Sequence, residues 1–200
     1  MIVYRYSNRR WLAKVLIPLF IIIIILTIIL AVLLMRARVK KSNKGAILRW
    51  NPIGITIAGV TGQRGNTSNK LSTLRGIGID WSNALYIADD GNSRIQKYSK
   101  DASVGETVAG EGSGIAGVGD GFLSRPYDVA IDLNENVFVV DSNNQRIQLW
   151  TRGSLVGKTI AGTTGVVGNS ANTLNYPYGI AYDSITHGIY ISDYNNYRIM

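Results

Sequence analysis

An internal repeat with a step of about 52 residues constrains the fold of this 200-residue chain more than any other feature. The pattern Asp-x-x-Asn-x-Arg-Ile begins at Asp89, Asp141 and Asp193, so the steps are 141 − 89 = 52 and 193 − 141 = 52. A second block, Gly-x-Thr-ϕ-Ala-Gly with ϕ an apolar residue, begins at Gly54, Gly105 and Gly157. A unit that recurs at a fixed period is a structural module that packs against its own copies. The repeat therefore predicts an array of similar modules.

Each repeat contains four short runs of β-branched or aromatic residues, separated by Gly, Asn and Asp. Examples are YGIAYD, GIYISD, RIQLW and KTIAG. Runs of this composition between turn residues are typical of β-strands. Four strands in about forty to fifty residues are the signature of a β-propeller blade. The sequence therefore predicts an all-β fold of antiparallel four-stranded blades over residues 45–200.

These blocks resemble the NHL repeat. The resemblance rests on the three Asp-x-x-Asn-x-Arg-Ile copies and on Pro-x-Gly-ϕ-x-x-Asp at residues 177–183, and it covers about residues 45–200. It implies a propeller, typically of six blades, that acts as an interaction surface, with a minority of members carrying enzymatic sites. Leu74 stands where the family has Pro, and Asp128 stands where it has Gly. We interpret both departures as variation of single blades.

The recurring Asp, Asn and Arg residues are expected to be structural. Asp and Asn side chains hydrogen-bond to their own backbone in tight turns, so we place them in the turn between the second and third strands of each blade. The Arg that follows can hold a carboxylate or a carbonyl. A residue that recurs in every blade belongs to the scaffold, because sites are grafted onto folds. No catalytic, cofactor-binding or metal-binding residue is predicted, and no cofactor is expected.

The repeat also predicts how many blades the chain contains. ILRW at residues 47–50 aligns with the third strand of a blade, so the domain begins in mid-blade, completes two blades and starts another. About three blades are too few for a closed ring, since propellers have about four to eight. We therefore expect residues 1–200 to be the N-terminal portion of a longer protein.

A membrane anchor is predicted ahead of the blades. Residues 15–35, VLIPLFIIIIILTIILAVLLM, carry no charge. As a helix they span about 31 Å, which matches the hydrocarbon core of a bilayer. A cleaved signal peptide is the alternative, but its apolar run is shorter and ends in a small-residue cleavage site. We predict a basic tail over residues 1–14, a transmembrane helix over 15–35 and a basic linker over 36–44.

Net charge is unevenly distributed along the chain. Ten of the 21 Lys and Arg residues lie in residues 1–50, which contain no Asp or Glu, so residues 51–200 have 21 − 10 = 11 basic and 13 acidic side chains, a net charge of −2. A nucleic-acid-binding domain should carry a basic face, so nucleic acid is an unlikely partner. Basic residues flank the apolar run on both sides and leave its orientation open. The resemblance to membrane-anchored proteins with outward NHL propellers, such as the teneurins, favours an extracellular or luminal domain.

Other candidate sites have simpler interpretations. GEGSGIAGVGDG at residues 110–121 lacks the Gly-Lys-Ser/Thr of a phosphate-binding loop, so we predict a connector between blades. DLNENV at residues 132–137 lacks the Gly and the Glu of a calcium loop, so we predict a β-turn. His187 is the only histidine and is expected to lie exposed in a turn. Asn66, in Asn-Thr-Ser, is a candidate N-glycosylation acceptor.

The sequence thus predicts a single-pass membrane protein whose propeller is a non-catalytic scaffold for a protein or ligand, with an unidentified binding site. Two alternatives stay open. One is a lyase or hydrolase, similar to the peptide-amidating lyases, whose catalytic residues lie in further blades. The other is an RNA-binding NHL module, which the net charge of residues 51–200 disfavours.

Overall fold

The computed structural model describes residues 52–200 and Leu30. The predicted tail at 1–14, the linker at 36–44, the strand at 47–50 and, apart from Leu30, the transmembrane helix at 15–35 lie outside the described residues. In the part of the chain that is described, no helix is long and apolar enough to cross a membrane.

Residues 52–200 form three antiparallel sheets, and the strands of each sheet follow chain order. The first sheet has β1 (Leu74–Ile79), β2 (Leu85–Asp89), β3 (Arg94–Tyr98) and β4 (Glu106–Gly110). The second has β5 (Pro126–Ile131), β6 (Val137–Asp141), β7 (Arg146–Trp150) and β8 (Lys158–Gly162). The third has β9 (Pro177–Tyr182), β10 (Ile189–Asp193) and β11 (Arg198–Ile199). A short 3₁₀ turn joins the second and third strands of each sheet, at Asp90–Asn92, Ser142–Asn144 and Tyr194–Asn196. The predicted two complete blades and the beginning of another are confirmed.

The first strands of the three blades, β1, β5 and β9, lie side by side and run in the same direction. The backbone N–H of Ile180 in β9 donates to the carboxylate of Asp128 in β5, at 3.0 Å, and the backbone of β1 at Gly76 approaches the same carboxylate. Because equivalent residues meet across the blades, equivalent turns lie at the same end of the domain. We call the end with the 3₁₀ turns and the starts of these three strands the connector end. The opposite end, with the turns between first and second and between third and fourth strands, is the hairpin end.

The core lies between the sheets. Apolar side chains of the first two blades interdigitate in one cluster that includes Tyr86, Ile95, Leu123, Val139 and Trp150. A second cluster, with Val140, Ile147, Leu174 and Ile191, joins the second blade to the third. Full burial of such a side chain contributes about 1.5–3 kcal/mol. Packing between blades therefore stabilises the array, which explains why a repeat is needed.

The block at Gly54 departs from the repeat. Its counterparts at Gly105 and Gly157 lead into β4 and β8, but residues 54–59 form no strand, and Ile55 and Ile57 are exposed. The predicted neighbouring strand at residues 47–50 lies outside the described residues. The sequence block at Gly54 is therefore not accompanied by a strand at residues 54–59.

Candidate ligand-recognition surface

A buried hydrogen-bond network recurs at the connector end of each blade. In the first blade, Asp89 Oδ1 accepts from the backbone N–H of Ser72 at 2.7 Å. Its Oδ2 accepts from Asn92 Nδ2 at 2.8 Å and from Arg94 Nε at 3.0 Å. The same three bonds are made by Asp141 with Ser124, Asn144 and Arg146, and by Asp193 with Asn175, Asn196 and Arg198.

The predicted local role of these aspartates is wrong. Asp89 bonds to a segment 17 residues earlier, and its side chain makes no cap on its own 3₁₀ turn. That turn is closed by its backbone instead, because the N–H of Ser93 donates to the carbonyl of Asp90. Ser93 adopts the left-handed conformation at φ 50°. The carboxylate is thereby free to anchor the chain that enters the blade.

The predicted role of the arginines is confirmed. The terminal nitrogens of Arg94 donate to backbone carbonyls of the connectors on either side, those of Asn66, Thr67, Lys70 and Gly112. Arg146 and Arg198 bond to the connectors in the same way. An unpaired buried charge is costly, so the recurring Asp and Arg must be kept together. We call this the Asp-Asn-Arg framework.

Burial changes the pKa of one carboxylate in the Asp-Asn-Arg framework. In the second blade, burial raises the pKa of Asp141, and the hydrogen bonds from Ser124, Asn144 and Arg146 oppose that rise. The acceptor oxygens of Asp141 already bond to these three residues. This carboxylate therefore holds the scaffold and offers nothing to a ligand.

Three positions directly above the framework differ from blade to blade. One position is the residue before the first strand, which is Thr73, Arg125 or Tyr176 in the three blades. Another is the second residue of that strand, which is Arg75, Tyr127 or Tyr178. The last is the first residue of the 3₁₀ turn, which is Asp90, Ser142 or Tyr194. The framework stays fixed while these side chains change. This contrast marks them as the candidate functional positions, since sites are carried on a fold and not by its repeated scaffold.

Asp90 links two blades through arginine. Arg75 Nε donates to Asp90 Oδ2 at 3.0 Å, and Arg125 Nε, from the next blade, donates to Asp90 Oδ1 at 3.1 Å. The hydrogen bond with Asp90 raises the pKa of each arginine. Tyr127 lies beside both guanidinium groups, whose Cζ atoms are 4.5 Å and 5.6 Å from its ring centroid. Both distances are within cation–π range.

A row of tyrosines extends this cluster into the third blade. The rings of Tyr127 and Tyr178 meet edge to face at 5.1 Å, and those of Tyr178 and Tyr194 are tilted at 5.8 Å. Tyr178 and Tyr194 are exposed. We call Arg75, Asp90, Arg125, Tyr127, Tyr178 and Tyr194 together the Arg–Tyr surface.

The backbone at the edge of this surface is strained. Thr73, Arg125 and Tyr176 all have positive φ, at 39°, 54° and 50°. A left-handed conformation costs a residue with a side chain about 1–2 kcal/mol, and glycine avoids that cost. None of the three repeats has glycine here. Because this conformation recurs at the same place in all three blades, it belongs to the repeated backbone, and the side chains that it carries are the part that differs.

The surface can bind hydrogen-bond acceptors and flat apolar groups. Arg75 bonds to Asp90 only through Nε, and Arg125 uses Nε and Nη2. Within residues 52–200, the other guanidinium nitrogens of this pair make no hydrogen bond, so they remain able to donate to a carboxylate, phosphate or carbonyl. The exposed tyrosine rings supply apolar area with a polar tip.

Asp128 was interpreted as single-blade variation, and the structure gives it a bridging role. Its carboxylate accepts from the backbone N–H groups of Val129, at 2.9 Å, and Ile180, at 3.0 Å. Burial raises the pKa of Asp128, and these two bonds oppose the rise. A Cβ atom added at Gly76 would collide with this carboxylate.

The other sequence candidates lie apart from the Arg–Tyr surface. Asn66 is exposed, and its Nδ2 donates to the carbonyl of Ser113 at 2.9 Å. His187 is exposed in the turn between β9 and β10, where Nδ1 lies 2.8 Å from the Tyr182 hydroxyl. Asp132 closes a turn by accepting from the N–H groups of Asn134 and Asn136, and residues 110–121 run from the end of β4 towards β5. Residues 52–200 contain no group of three or more His, Cys, Asp or Glu that could hold a metal ion.

Sequence reasoning missed the Arg–Tyr surface. Its residues lie in different repeats, and Asp90 and Arg125 are 35 positions apart. An alignment of the three repeats shows that these positions differ, but other positions differ as well, for example Ser93, Gln145 and Tyr197. Only the contacts between blades single out the residues of the Arg–Tyr surface.

No protein-family model and no curated protein matches this chain. The solved structures similar to it are propeller-type proteins. An auxiliary nutrient binding protein from Bacteroides thetaiotaomicron VPI-5482 matches with a TM-score of 0.51 and 22% identity, over 62% of this chain and 35% of that one. A second, from Bacteroides ovatus ATCC 8483, matches with a TM-score of 0.50 and 21% identity, over 65% and 37%. A virginiamycin B lyase from Staphylococcus aureus has a TM-score of 0.45 and 17% identity, over 68% and 40%.

The chain therefore spans little more than a third of the length of the two nutrient binding proteins. At these identities the likeness concerns the fold alone. Together with the three antiparallel sheets, it shows that residues 52–200 are built from blades of the β-propeller type.

Proposed function

We propose that this protein is a single-pass membrane-anchored propeller of the NHL type, and that it acts as a non-catalytic scaffold that binds a protein or ligand through the Arg–Tyr surface. The uncharged run at residues 15–35 supports the anchor. The two nutrient binding neighbours support the use of such a fold for binding.

One observation carries the binding role. The Asp-Asn-Arg framework is identical in three blades, whereas the positions above it diverge into arginine, aspartate and tyrosine that contact one another across blades. Tyr and Arg are the residues most enriched in the energetically dominant parts of protein interfaces. Both combine a large contact area with groups that can hydrogen-bond.

Further blades fit the exposed faces of the array. Ile77 and Ile79 on the first blade and Ile199 on the third are exposed, although the equivalent faces between the described blades are buried. In a propeller, each such face packs against a neighbouring blade. We infer that additional blades of the complete protein cover them.

The location of the propeller can be tested through Asn66. We place the blades on the extracellular or luminal side, and the exposed Asn66 then meets the glycosylation machinery. A shift in mobility on glycosidase treatment, lost in Asn66→Gln, is expected. Digestion of the blades by protease added to the cytosolic side of intact membranes would place them there instead.

Binding is tested with the full chain in detergent on arrays of peptides and glycans. We expect array spots whose signal falls at least about tenfold, which corresponds to about 1.4 kcal/mol, in Arg125→Gln/Tyr178→Ala. Leu155→Ser at the hairpin end is the control and should keep the signal, because Leu155 is exposed and lies at the end opposite to the Arg–Tyr surface. Equal binding by both variants would rule out the Arg–Tyr surface as the binding site.

A further inference from the structure

Large apolar side chains stand at the tips of the turns of the hairpin end. The turn between the first and second strands presents Trp81 in the first blade, Leu133 in the second and Ile185 in the third. Their exposed fractions are 69%, 61% and 88%. Each of the three described blades thus directs one bulky apolar residue away from the domain.

A recurring aspartate holds the backbone of each of these turns. Asp80 Oδ1 accepts from the backbone N–H groups of Ser82 and Ala84, at 2.8 Å and 2.9 Å. Asp132 closes the equivalent turn of the second blade, and Asp183 bonds to Ile185 N at 2.8 Å in the third. The turn's own polar groups are therefore satisfied by the recurring Asp, and the apolar tip is not needed to hold the turn.

The outer turns at the same end repeat the pattern. Leu155, between β7 and β8, is 89% exposed, and Val156 beside it and Val104 in the first blade are also exposed. Ser154 Oγ donates to the carbonyl of Val156 at 2.7 Å, which fixes this turn as well. The hairpin end therefore carries apolar tips in both its inner and its outer rows of turns.

Charge at this end does not favour an anionic partner or a cationic one. Basic and acidic side chains are interspersed here: the basic ones are Lys97, Lys100, Arg152 and Lys158, and the acidic ones are Asp80, Asp101, Glu106, Asp132, Glu135 and Asp183. A surface with mixed charges and projecting apolar tips is suited to the interface of a bilayer, where Trp and aliphatic side chains are favoured. Isolated tips separated by polar turns offer little of the continuous apolar area that a protein interface needs.

We propose that the hairpin end rests on the membrane, with Trp81, Leu133, Leu155 and Ile185 inserted into the bilayer interface. This inference depends on the proposed anchor at residues 15–35. The 16 residues from 36 to 51 reach at most about 55 Å when fully extended, so an anchor at residues 15–35 would limit how far the blades can move from the bilayer. Insertion then leaves the Arg–Tyr surface, at the opposite end, open to its partner.

The absence of cysteine from the sequence allows a direct test. The full chain is reconstituted in phosphatidylcholine vesicles with one cysteine, at Ile185→Cys or, as the connector-segment control, at exposed Val118→Cys. Each is labelled with an environment-sensitive fluorophore and quenched either by nitroxide-labelled lipid or by aqueous iodide. We expect a severalfold higher ratio of lipid to iodide quenching at position 185, with a blue-shifted emission, than at position 118.

Replacement of the apolar tips by serine provides a second test. In the Ile185→Cys background, Trp81→Ser/Leu133→Ser/Leu155→Ser should lower the ratio to that of position 118, whereas Ile115→Ser, at an exposed connector residue, should leave it unchanged. Equal iodide access at positions 185 and 118 overturns the inference. Protection from both quenchers at position 185 also overturns it, in favour of a protein contact.

Carbonate extraction of the same vesicles separates the two proposals. A chain that resists extraction while its tips remain in water contradicts only the placement of the hairpin end. A chain released by carbonate contradicts the anchor, and with it the placement that depends on the anchor.

Discussion

Each end of the blades has one recurring aspartate per repeat, but the two aspartates bond to partners at different distances along the sequence. At the connector end, Asp89 and Asp141 are fully buried and each bonds to a backbone N–H 17 residues earlier. At the hairpin end, Asp80 and Asp132 bond to groups two and four residues later in their own turns. The connector-end carboxylates join segments that are distant in the chain, whereas the hairpin-end carboxylates use Oδ1 to close a single turn.

This difference separates two kinds of surface. The connector end is built on a buried network that spans each blade and its connectors, so side chains above it are presented from a rigid base. At the hairpin end, each aspartate holds the backbone of its own turn, and neighbouring turns are joined only by partly exposed contacts such as those of Glu135 with Lys97 and Arg152. A recognition surface benefits from the first arrangement, and a set of membrane-inserting tips needs only the second.

Removal of one aspartate from each end should give the largest contrast. Asp141→Ala leaves the buried Arg146 without its carboxylate, and we expect a loss of about 3–5 kcal/mol in the free energy of unfolding. Asp132→Ala removes hydrogen bonds from an exposed turn and should cost about 1 kcal/mol. Urea unfolding of the detergent-solubilised chain, followed by tryptophan fluorescence, measures both. Similar losses would mean that the two ends do not differ as described.

A second comparison is between two equivalent ion pairs that differ in burial. Arg146 is 1% exposed and Arg198 is 28% exposed, although they make equivalent bonds to Asp141 and Asp193. Arg146→Ala should destabilise the chain by about 3 kcal/mol or more, because a buried carboxylate is left unpaired. Arg198→Ala should cost clearly less, since water reaches that pair. The same unfolding assay ranks the two, and a larger loss for Arg198→Ala would contradict the burial argument.

The two ends should also respond to pH with opposite signs. Burial raises the pKa of Asp128 above its ordinary value of 3.8, so the folded state binds the proton more tightly and this group's contribution to stability increases as the pH falls towards 3.8. At Asp80, burial acts to raise the pKa, but hydrogen bonds from Ser82, Ala84 and Tyr86 lower it overall. Its contribution is present above pH 3.8 and is lost as the pH falls through the lowered pKa.

Asn substitutions test these signs. Relative to Asp128→Asn, the natural chain should gain stability as the pH falls from 7 to about 4, because the raised pKa lets the folded state take up the proton first. Relative to Asp80→Asn, it should lose stability only in more acidic solution. Unfolding curves at a series of pH values measure both differences. Parallel pH profiles for the two variants would show that burial does not distinguish these carboxylates.

The smallest stability effect is expected on the Arg–Tyr surface itself. The side chain of Arg125 is 47% exposed, so its ion pair with Asp90 should contribute less than about 1 kcal/mol. Arg125→Gln should therefore unfold almost as the natural chain does, while binding through this surface is weakened. An unfolding loss as large as that of Asp141→Ala would assign Arg125 to the framework instead.

The blades and their strands could be predicted from the sequence because short-range signals define them. Alternating apolar runs between turn residues, repeated with a constant step, correctly indicated two full blades and the beginning of a third. The turn at Asp132 and the carbonyl contacts of Arg94 followed from residue chemistry in the same way. These features depend on residue type and local order, which a sequence displays directly.

Contacts between segments that are distant in the chain could not be predicted in this way. The partner of Asp89 is Ser72, which lies 17 residues earlier at the start of the same blade, and the partners of Asp90 include Arg125 in the next blade. Residue type and local order do not reveal either contact, and the second exists only when two blades lie side by side. Sequence reasoning was therefore accurate about the strands and incomplete about the contacts that join them.

The close packing around Asp128 limits which residues its neighbours can be. Its carboxylate lies against Gly76 of one neighbouring strand and near Gly179 of the other, and a Cβ atom at position 76 would collide with it. An acidic residue is therefore tolerated at this place only while the neighbouring blade keeps glycine at position 76. Any larger residue there would have to displace both the carboxylate and the backbone of Asp128.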